Sequence, residues 1–438
     1  MAKIFLSFLG TNKYYPCNYL SPGKKTVMNV RYVQEATIQQ NCENFDRYIF
    51  FLTKESKNVN WQDDGYIDKN GSKIKNQGLK TRLELLGLKE KVEEEIIKEG
   101  FTENEIWEIF QKIYDKVEKN DQIVFDITHA FRFLPMLGMV LINYLKATKD
   151  VELLGIYYGA FEALGPGYKV EKIPIEKRNV NILDLISLSL LQDWTFAANA
   201  VSQFGNPEKM SELTKKQLTP ILSETKGKDK AAANLRNLVE SISKITDNIT
   251  SCRGPKIFKD NSYENVNNCL DQMKGDYIPP LIPIITSLQD NLKNLSSDKG
   301  ASNAFQLVGW CIRYDWIQQG YTILFESIIT LMLDNLGEPN DDLTKRSVAS
   351  ACFAISYNNT PHDEWLNLPA KHPELTKKYL ESEIVKLLDK EITQLQDLRN
   401  DINHAGFKPN RTKSNTLKNE LNNIYNVIIE KLEIHKLC

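Results

Sequence analysis

The chain is short of cysteine and histidine and has no excess of either charge, and each shortage narrows what it can do. Its seven cysteines, Cys17, Cys42, Cys252, Cys269, Cys311, Cys352 and Cys438, are scattered over 438 residues without a C-x-x-C pair or a histidine at ligand spacing. That argues against a zinc site and against a disulfide framework, and points to a reducing cytoplasm. The 55 lysines and arginines are balanced by 57 aspartates and glutamates, for a net charge of −2. No global basic field advertises nucleic acid, so an RNA site must be a local patch. The longest apolar stretch, Ala130 to Leu145, contains Arg132 and Asn143. It is too short and too polar for a bilayer and reads as a buried helix. Met1-Ala2-Lys3 leads straight into an apolar segment, with no leader-peptide pattern. Internal repeats and low-complexity tracts are absent too.

What is present divides the chain. Lys3 to Leu9, Arg47 to Thr53, Gln122 to Ile127 and Val151 to Tyr158 are short, nearly continuous apolar runs, the pattern of parallel strands buried on both faces. Between them, Thr102 and Glu105 form a capping box that opens a helix with Ile106, Ile109, Phe110, Ile113 and Val117 on one side. Ala130 to Ala147 is expected as a second helix. The N-terminal part, residues 1–175, is therefore expected to be an α/β, Rossmann-like domain whose ligand crevice lies beyond the carboxyl ends of its strands. After Pro174 the periods become helical. Residues 176–300 read as a helical spacer or part of a bundle, and 301–438 as an all-α core.

Two loops at strand ends carry candidate chemistry. Gly10-Thr11-Asn12-Lys13-Tyr14 follows the first strand, where glycine lets the backbone approach a ligand and short polar side chains supply donors. Asp126-Ile127-Thr128-His129-Ala130-Phe131-Arg132 passes from strand to helix, and hydroxyl, imidazole and N–H groups at a helix start suit a phosphate. Thr128 equally suits a plain helix cap. Tyr158-Gly159-Ala160 closes the next strand. Neither of the first two loops is a dinucleotide fingerprint or a P-loop.

Near the other end lies Arg399-Asn400-Asp401-Ile402-Asn403-His404, just ahead of Gly406. A permanent cation and a group that moves protons near neutral pH are two requirements of a metal-free ribonuclease. With 11 arginines and 5 histidines, one such spacing arises by chance in roughly one chain in eight, so it needs outside support. Arg399 belongs to a helix whose Leu388, Ile392, Leu395, Leu398 and Ile402 bury one face. On an ideal helix Arg399 and His404 sit ~140° apart, so one copy is not expected to place them side by side. Residues 399–418 hold five cations (Arg399, Lys408, Arg411, Lys413, Lys418) and one acid (Asp401), a local +4 suited to guiding single-stranded RNA. Trp310, Trp316 and Tyr321 read as core packing rather than base stacking.

Taken together, the three N-terminal signatures resemble the CARF domain of type III CRISPR-associated ancillary proteins, and Arg399 to His404 is similar to the R-x(4–6)-H motif of HEPN ribonuclease domains. The resemblance covers the whole chain, in the domain order of the CARF–HEPN family. It implies a cyclic-oligoadenylate sensor joined to a metal-independent endoribonuclease of antiviral defence, which cleaves single-stranded RNA to 2′,3′-cyclic phosphate and 5′-hydroxyl ends. By position, Gly10, Thr11, Asn12 and Tyr14 would line one side of the ring pocket; Asp126, Thr128, His129 and Arg132 the other; and Gly159 the rim. Arg399 would stabilise the phosphorane-like transition state, His404 would transfer protons, and Asn400 would position either. His404 lies in the last turn, where the helix dipole favours imidazolium and a general-acid role. No cofactor is implied beyond the activator, for which cyclic tetra-adenylate is favoured and the six-membered ring stays open. The pocket would straddle the two-fold axis of a homodimer or a multiple of it, and the two HEPN helices would share an active site. Two other readings stand beside this one. One is a non-catalytic ligand-binding regulatory module; the other is a CARF protein that also degrades its own ring.

Overall fold

The computed structural model describes residues 1–41, 44–65, 67, 71–73, 75–128, 133–272, 295, 300–407 and 411–437. Two compact units divide the chain, Met1–Leu190 and Leu191–Cys438.

The first unit is built on an eight-stranded sheet of order β3-β2-β8-β7-β6-β1-β4-β5. Its strands are β1 (Lys3–Leu9), β2 (Cys17–Leu20), β3 (Val27–Val30), β4 (Arg47–Leu52), β5 (Val92–Ile96), β6 (Gln122–Asp126), β7 (Glu152–Gly159) and β8 (Asn179–Asp184). From β7 through β6, β1 and β4 to β5 the pairing is parallel, whereas β8 runs antiparallel to β7 and β3 antiparallel to β2. Alternation along β1 explains its unbroken apolar run. Phe5 and Leu9 enter one core layer with helices α1 (Val33–Asn41) and α2 (Leu79–Leu85). Ile4, Leu6 and Phe8 enter the other, beneath α3 (Glu103–Asp115) and α4 (Leu134–Lys149). A strand covered on both faces has no polar side to show. Half of the expected capping box forms: Glu105 N–H donates to Thr102 Oγ1 at 3.3 Å, whereas Glu105 Oε2 accepts at 3.0 Å from the N–H of Phe101, one residue before the cap.

The sheet runs past the expected break at residue 175. Val180 and Ile182 alternate with exposed neighbours along β8, and their burial against the α1–α2 layer carries the α/β unit on to Leu190. The expected helix from Ala130 begins at Leu134 among the described residues.

The second unit is helical in all its described elements. It includes α5 (Ile186–Phe204, which straddles the boundary), α6 (Lys230–Thr250), α7 (Gly300–Arg313), α8 (Ile317–Asn335), α9 (Leu343–Tyr357), α10 (Glu383–Asn403) and α11 (Ser414–Ile434). One hydrophobic cluster joins Leu235, Leu238 and Ile242 of α6 to Leu324 and Ile328 of α8, Leu388 of α10 and Ile428 of α11. The stretch 176–300, expected as a helical spacer or part of a bundle, contributes β8 to the sheet and α6 to the helical core. α7 and α8 are separate helices, and the chain turns between them at Asp315, which takes a positive φ of 59°. Tyr321 is fully buried, and Trp310 and Trp316 pack against the same cluster, as expected for core residues. No described helix is long and apolar enough to cross a membrane.

Candidate functional site

Parallel strands β1 and β6 are neighbours, with Ser7 in register with Asp126. After β1 the chain first forms β2 and β3 at the far edge and then returns as β4 beside β1, whereas after β6 it passes to β7 on the other side. Within the parallel strands the carboxyl ends of β1 and β6 are therefore the topological switch point, the usual ligand crevice of such folds. Gly10-Thr11-Asn12 and Thr128 leave the sheet there together.

Hydrogen bonds hold both loops. Gly10 N–H donates to the Tyr14 hydroxyl at 3.0 Å. Asn60 Nδ2 donates to the carbonyls of Gly10 at 2.8 Å and Asn12 at 3.0 Å. Tyr14 is buried, its ring 5.1 Å from that of Tyr32, and burial pushes its phenol well up. It serves chiefly to fasten the loop. Asn60 does the same from the short helical segment Lys57–Trp61, with no sequence motif to announce it.

Asp126 is fully buried. Its Oδ2 accepts from Ser7 Oγ at 2.7 Å, and its Oδ1 accepts from Thr128 Oγ1 at 2.6 Å and Thr128 N–H at 3.2 Å. Burial raises its pKa to about 6, against the opposing pull of these donors. The carboxyl therefore orients Thr128 and does not itself face the crevice, which corrects its expected place in the pocket wall. Thr128 Oγ1 in turn accepts from Gly159 N–H at 2.8 Å. Gly159 is buried rather than at a rim: a Cβ there would lie 2.6 Å from Val33 Cγ2. The close approach of β7 to α1 is what demands glycine. His129 and Arg132 lie outside the described residues.

A cavity of about 340 Å³ opens beside the first loop, lined by Asn12, Lys13, Tyr14 and Tyr15, by Arg31, and by Phe161 after β7. The rings of Tyr15 and Phe161 are 6.0 Å apart and only 8° from parallel. They form a flat aromatic shelf in a pocket that also holds Arg31, Glu162 and Lys13, the last paired with Glu171 at 2.8 Å, and the shelf suits a stacked base. Tyr15 and Phe161 lie within or just beyond the expected motifs. Arg31 follows β3, a strand too short to read from the sequence.

In the second unit, Arg399 lies on α10 and lines a separate cavity of about 660 Å³. Its Nη2 donates to Glu326 Oε1 at 3.3 Å, and its guanidinium carbon lies 4.9 Å from the centre of the Phe325 ring. His404 caps α10, is exposed, and is not among the residues lining that cavity. Within one copy the two residues therefore do not line a common cavity. Asn400 is exposed, and its carbonyl accepts from His404 N–H at 3.0 Å. Asp401 is buried: its Oδ2 accepts from Thr412 N–H and its carbonyl from Gly406 N–H, which ties the following turn to the helix. The basic flank is smaller than its formal charge. Arg399 is paired with Glu326 and Lys418 with Asp315; Arg411 and Lys413 are exposed, and Lys408 lies outside the described residues.

Residues 4–162 match the family model of the CARF domain of CRISPR system endoribonuclease Csx1. CRISPR-associated protein MJ1674 of Methanocaldococcus jannaschii is 24% identical over 338 residues, which cover 76% of this chain and 45% of that protein. The chain thus matches less than half the length of that relative. Among solved structures, Enterococcus italicus Csm6 bound to cyclic hexa-2′-fluoro-hexa-dAMP aligns with 100% of this chain and 95% of its own at 12% identity, with a TM-score of 0.45.

Proposed function

We propose that this chain, whose residues 4–162 match the CARF-domain family model, is a type III CRISPR ancillary ribonuclease switched on by a cyclic oligoadenylate. The ring binds at the switch point of the sheet, against Gly10, Thr11 and Asn12 on one side and Thr128 on the other. Adenine stacks on the Tyr15–Phe161 shelf, with Lys13 and Arg31 near its phosphate. The observation that carries this reading is the meeting of the two loops at the ends of β1 and β6, within the span that matches the family model.

The helical unit is a HEPN nuclease. Arg399 stabilises charge on the phosphate while an RNA 2′-hydroxyl attacks it and gives up its proton to solvent water, and His404 of a second copy protonates the departing 5′-oxygen. Asn400 steadies the histidine. Exposed Arg411 and Lys413, with Lys408, guide the strand. The products are a 2′,3′-cyclic phosphate and a 5′-hydroxyl, and the working form is a homodimer or a multiple of it. Ligand at one unit biases the placement of the paired nuclease helices.

Fluorescent single-stranded RNA in EDTA, with and without cyclic tri-, tetra- and hexa-adenylate, tests the proposal. Cleavage is expected with one ring, cyclic tetra-adenylate first. His404→Ala is expected to abolish it while ring binding persists. A wild type inert with every ring sinks the nuclease reading and leaves the binding module; cleavage retained in His404→Ala refutes the assigned site.

A further inference from the structure

Arg399 is the end of a chain of contacts that the motif does not contain. Glu326, on α8, offers it a carboxylate oxygen, and that carboxylate is held from its other side. Arg346 of α9 donates through Nη2 to Glu326 Oε2 at 2.6 Å and to the Glu326 carbonyl at 3.2 Å. Its Nη1 donates to Thr330 Oγ1 at 3.0 Å and to the Asn340 carbonyl at 2.8 Å. Four acceptors leave Arg346 little freedom, so it acts as a fastener and the Glu326 carboxylate is fixed in turn.

The hold on Arg399 is of a different kind. Its single contact to Glu326 is 3.3 Å long, against roughly 2.7–2.9 Å for a strong charge-assisted bond. Phe325, itself buried, supplies a rigid floor beneath the guanidinium. Arg399 Nε is buried with no hydrogen-bond partner among the described residues. A buried donor left unmatched is a cost that an incoming oxygen relieves. The charges agree. A lone glutamate beside Arg399 would cancel it, but Glu326 is shared between two guanidinium groups, so the cluster keeps one net positive charge. All three residues line the 660 Å³ cavity.

We propose that Glu326 and Arg346 are positioning residues that aim Arg399 into this cavity to receive an anionic oxygen of the scissile phosphate. The inference rests on the ribonuclease reading above. Glu326→Gln, close in shape, and Arg346→Lys, which keeps the charge but cannot serve four acceptors, test it in the activated full-length protein. Each is expected to lower kcat on the order of ten- to a hundredfold while KM stays within about twofold. The second readout is the ratio of rates for RNA carrying a phosphate or a stereopure phosphorothioate at the cleaved bond. Sulfur weakens the bond to a well-aimed guanidinium, so the ratio should be large in the wild type and fall toward one in both variants. A wild-type kcat in Glu326→Gln, or a lowered kcat with the ratio unchanged, overturns the relay and leaves the ribonuclease reading standing. An activated wild type that does not cleave, or an Arg399→Ala variant that cleaves normally, overturns both.

Discussion

Asp126→Asn should make this protein more stable at neutral pH. The carboxyl is fully buried at the end of β6, and its pKa is raised from 3.8 to about 6. Between those values the folded chain holds a proton that the unfolded chain has released. Stability is therefore greatest below the unfolded pKa, falls as pH rises through the window, and carries the full penalty above about pH 6. A shift of about two units corresponds to roughly 3 kcal/mol, a large share of an ordinary domain stability of about 5–15 kcal/mol. Asparagine keeps an oxygen for the Thr128 hydroxyl and N–H, and its Nδ2 can donate to Ser7 Oγ, which retains its own bond to the Phe8 carbonyl. The variant should gain about 2–3 kcal/mol at pH 7.5 and almost nothing near pH 4. Urea unfolding followed by tryptophan fluorescence at pH 4.5, 6 and 7.5 measures this. The two compact units call for separate analysis of any second transition. A variant no more stable than wild type at pH 7.5, or one with the same pH slope, would refute the buried-carboxyl argument.

Gly159→Ala, whose new Cβ would meet Val33 Cγ2 at 2.6 Å, should cost about 1–3 kcal/mol, read as a lowered melting temperature of the first unit; an unchanged melting curve contradicts the tight approach of β7 to α1. Tyr15→Ala and Phe161→Ala should each raise the ring concentration for half-maximal activation by about tenfold or more, since stacking on an aromatic ring is worth about 1–3 kcal/mol per base. Cleavage at saturating ring should stay unchanged, and equal activation by variants and wild type removes the shelf from the binding site.

Elements buried on both faces were the easiest to read. Lys3–Leu9 emerges with the expected limits because every side chain of the run except Lys3 and Ser7 enters an apolar layer. α11 is legible for a related reason, since Leu421, Ile424, Ile428 and Leu432 make one buried stripe at helical spacing. β5 was illegible for the opposite reason: Val92-Glu93-Glu94-Glu95-Ile96 carries three successive glutamates. It is the edge strand, and ion pairs with Arg47, Lys57, Lys112 and Lys116 keep those carboxylates satisfied. The glutamates of an edge strand look like a solvated loop until their partners are known.

By itself the sequence determined the α/β-then-helical order, the strand ends that carry Gly10 and Thr128, and the helix that carries Arg399. Each follows from local period or fixed helical geometry, which act over a few residues. Only the tertiary structure decided that Asp126 turns inward to hold Thr128, that Phe161 joins Tyr15, and that Glu326 meets Arg399. Arg399 and Glu326 are 73 positions apart in sequence, and no periodicity reaches that far. Packing α8, α9 and α10 around one core brings those charges to a common cavity, where burial and pairing set their roles.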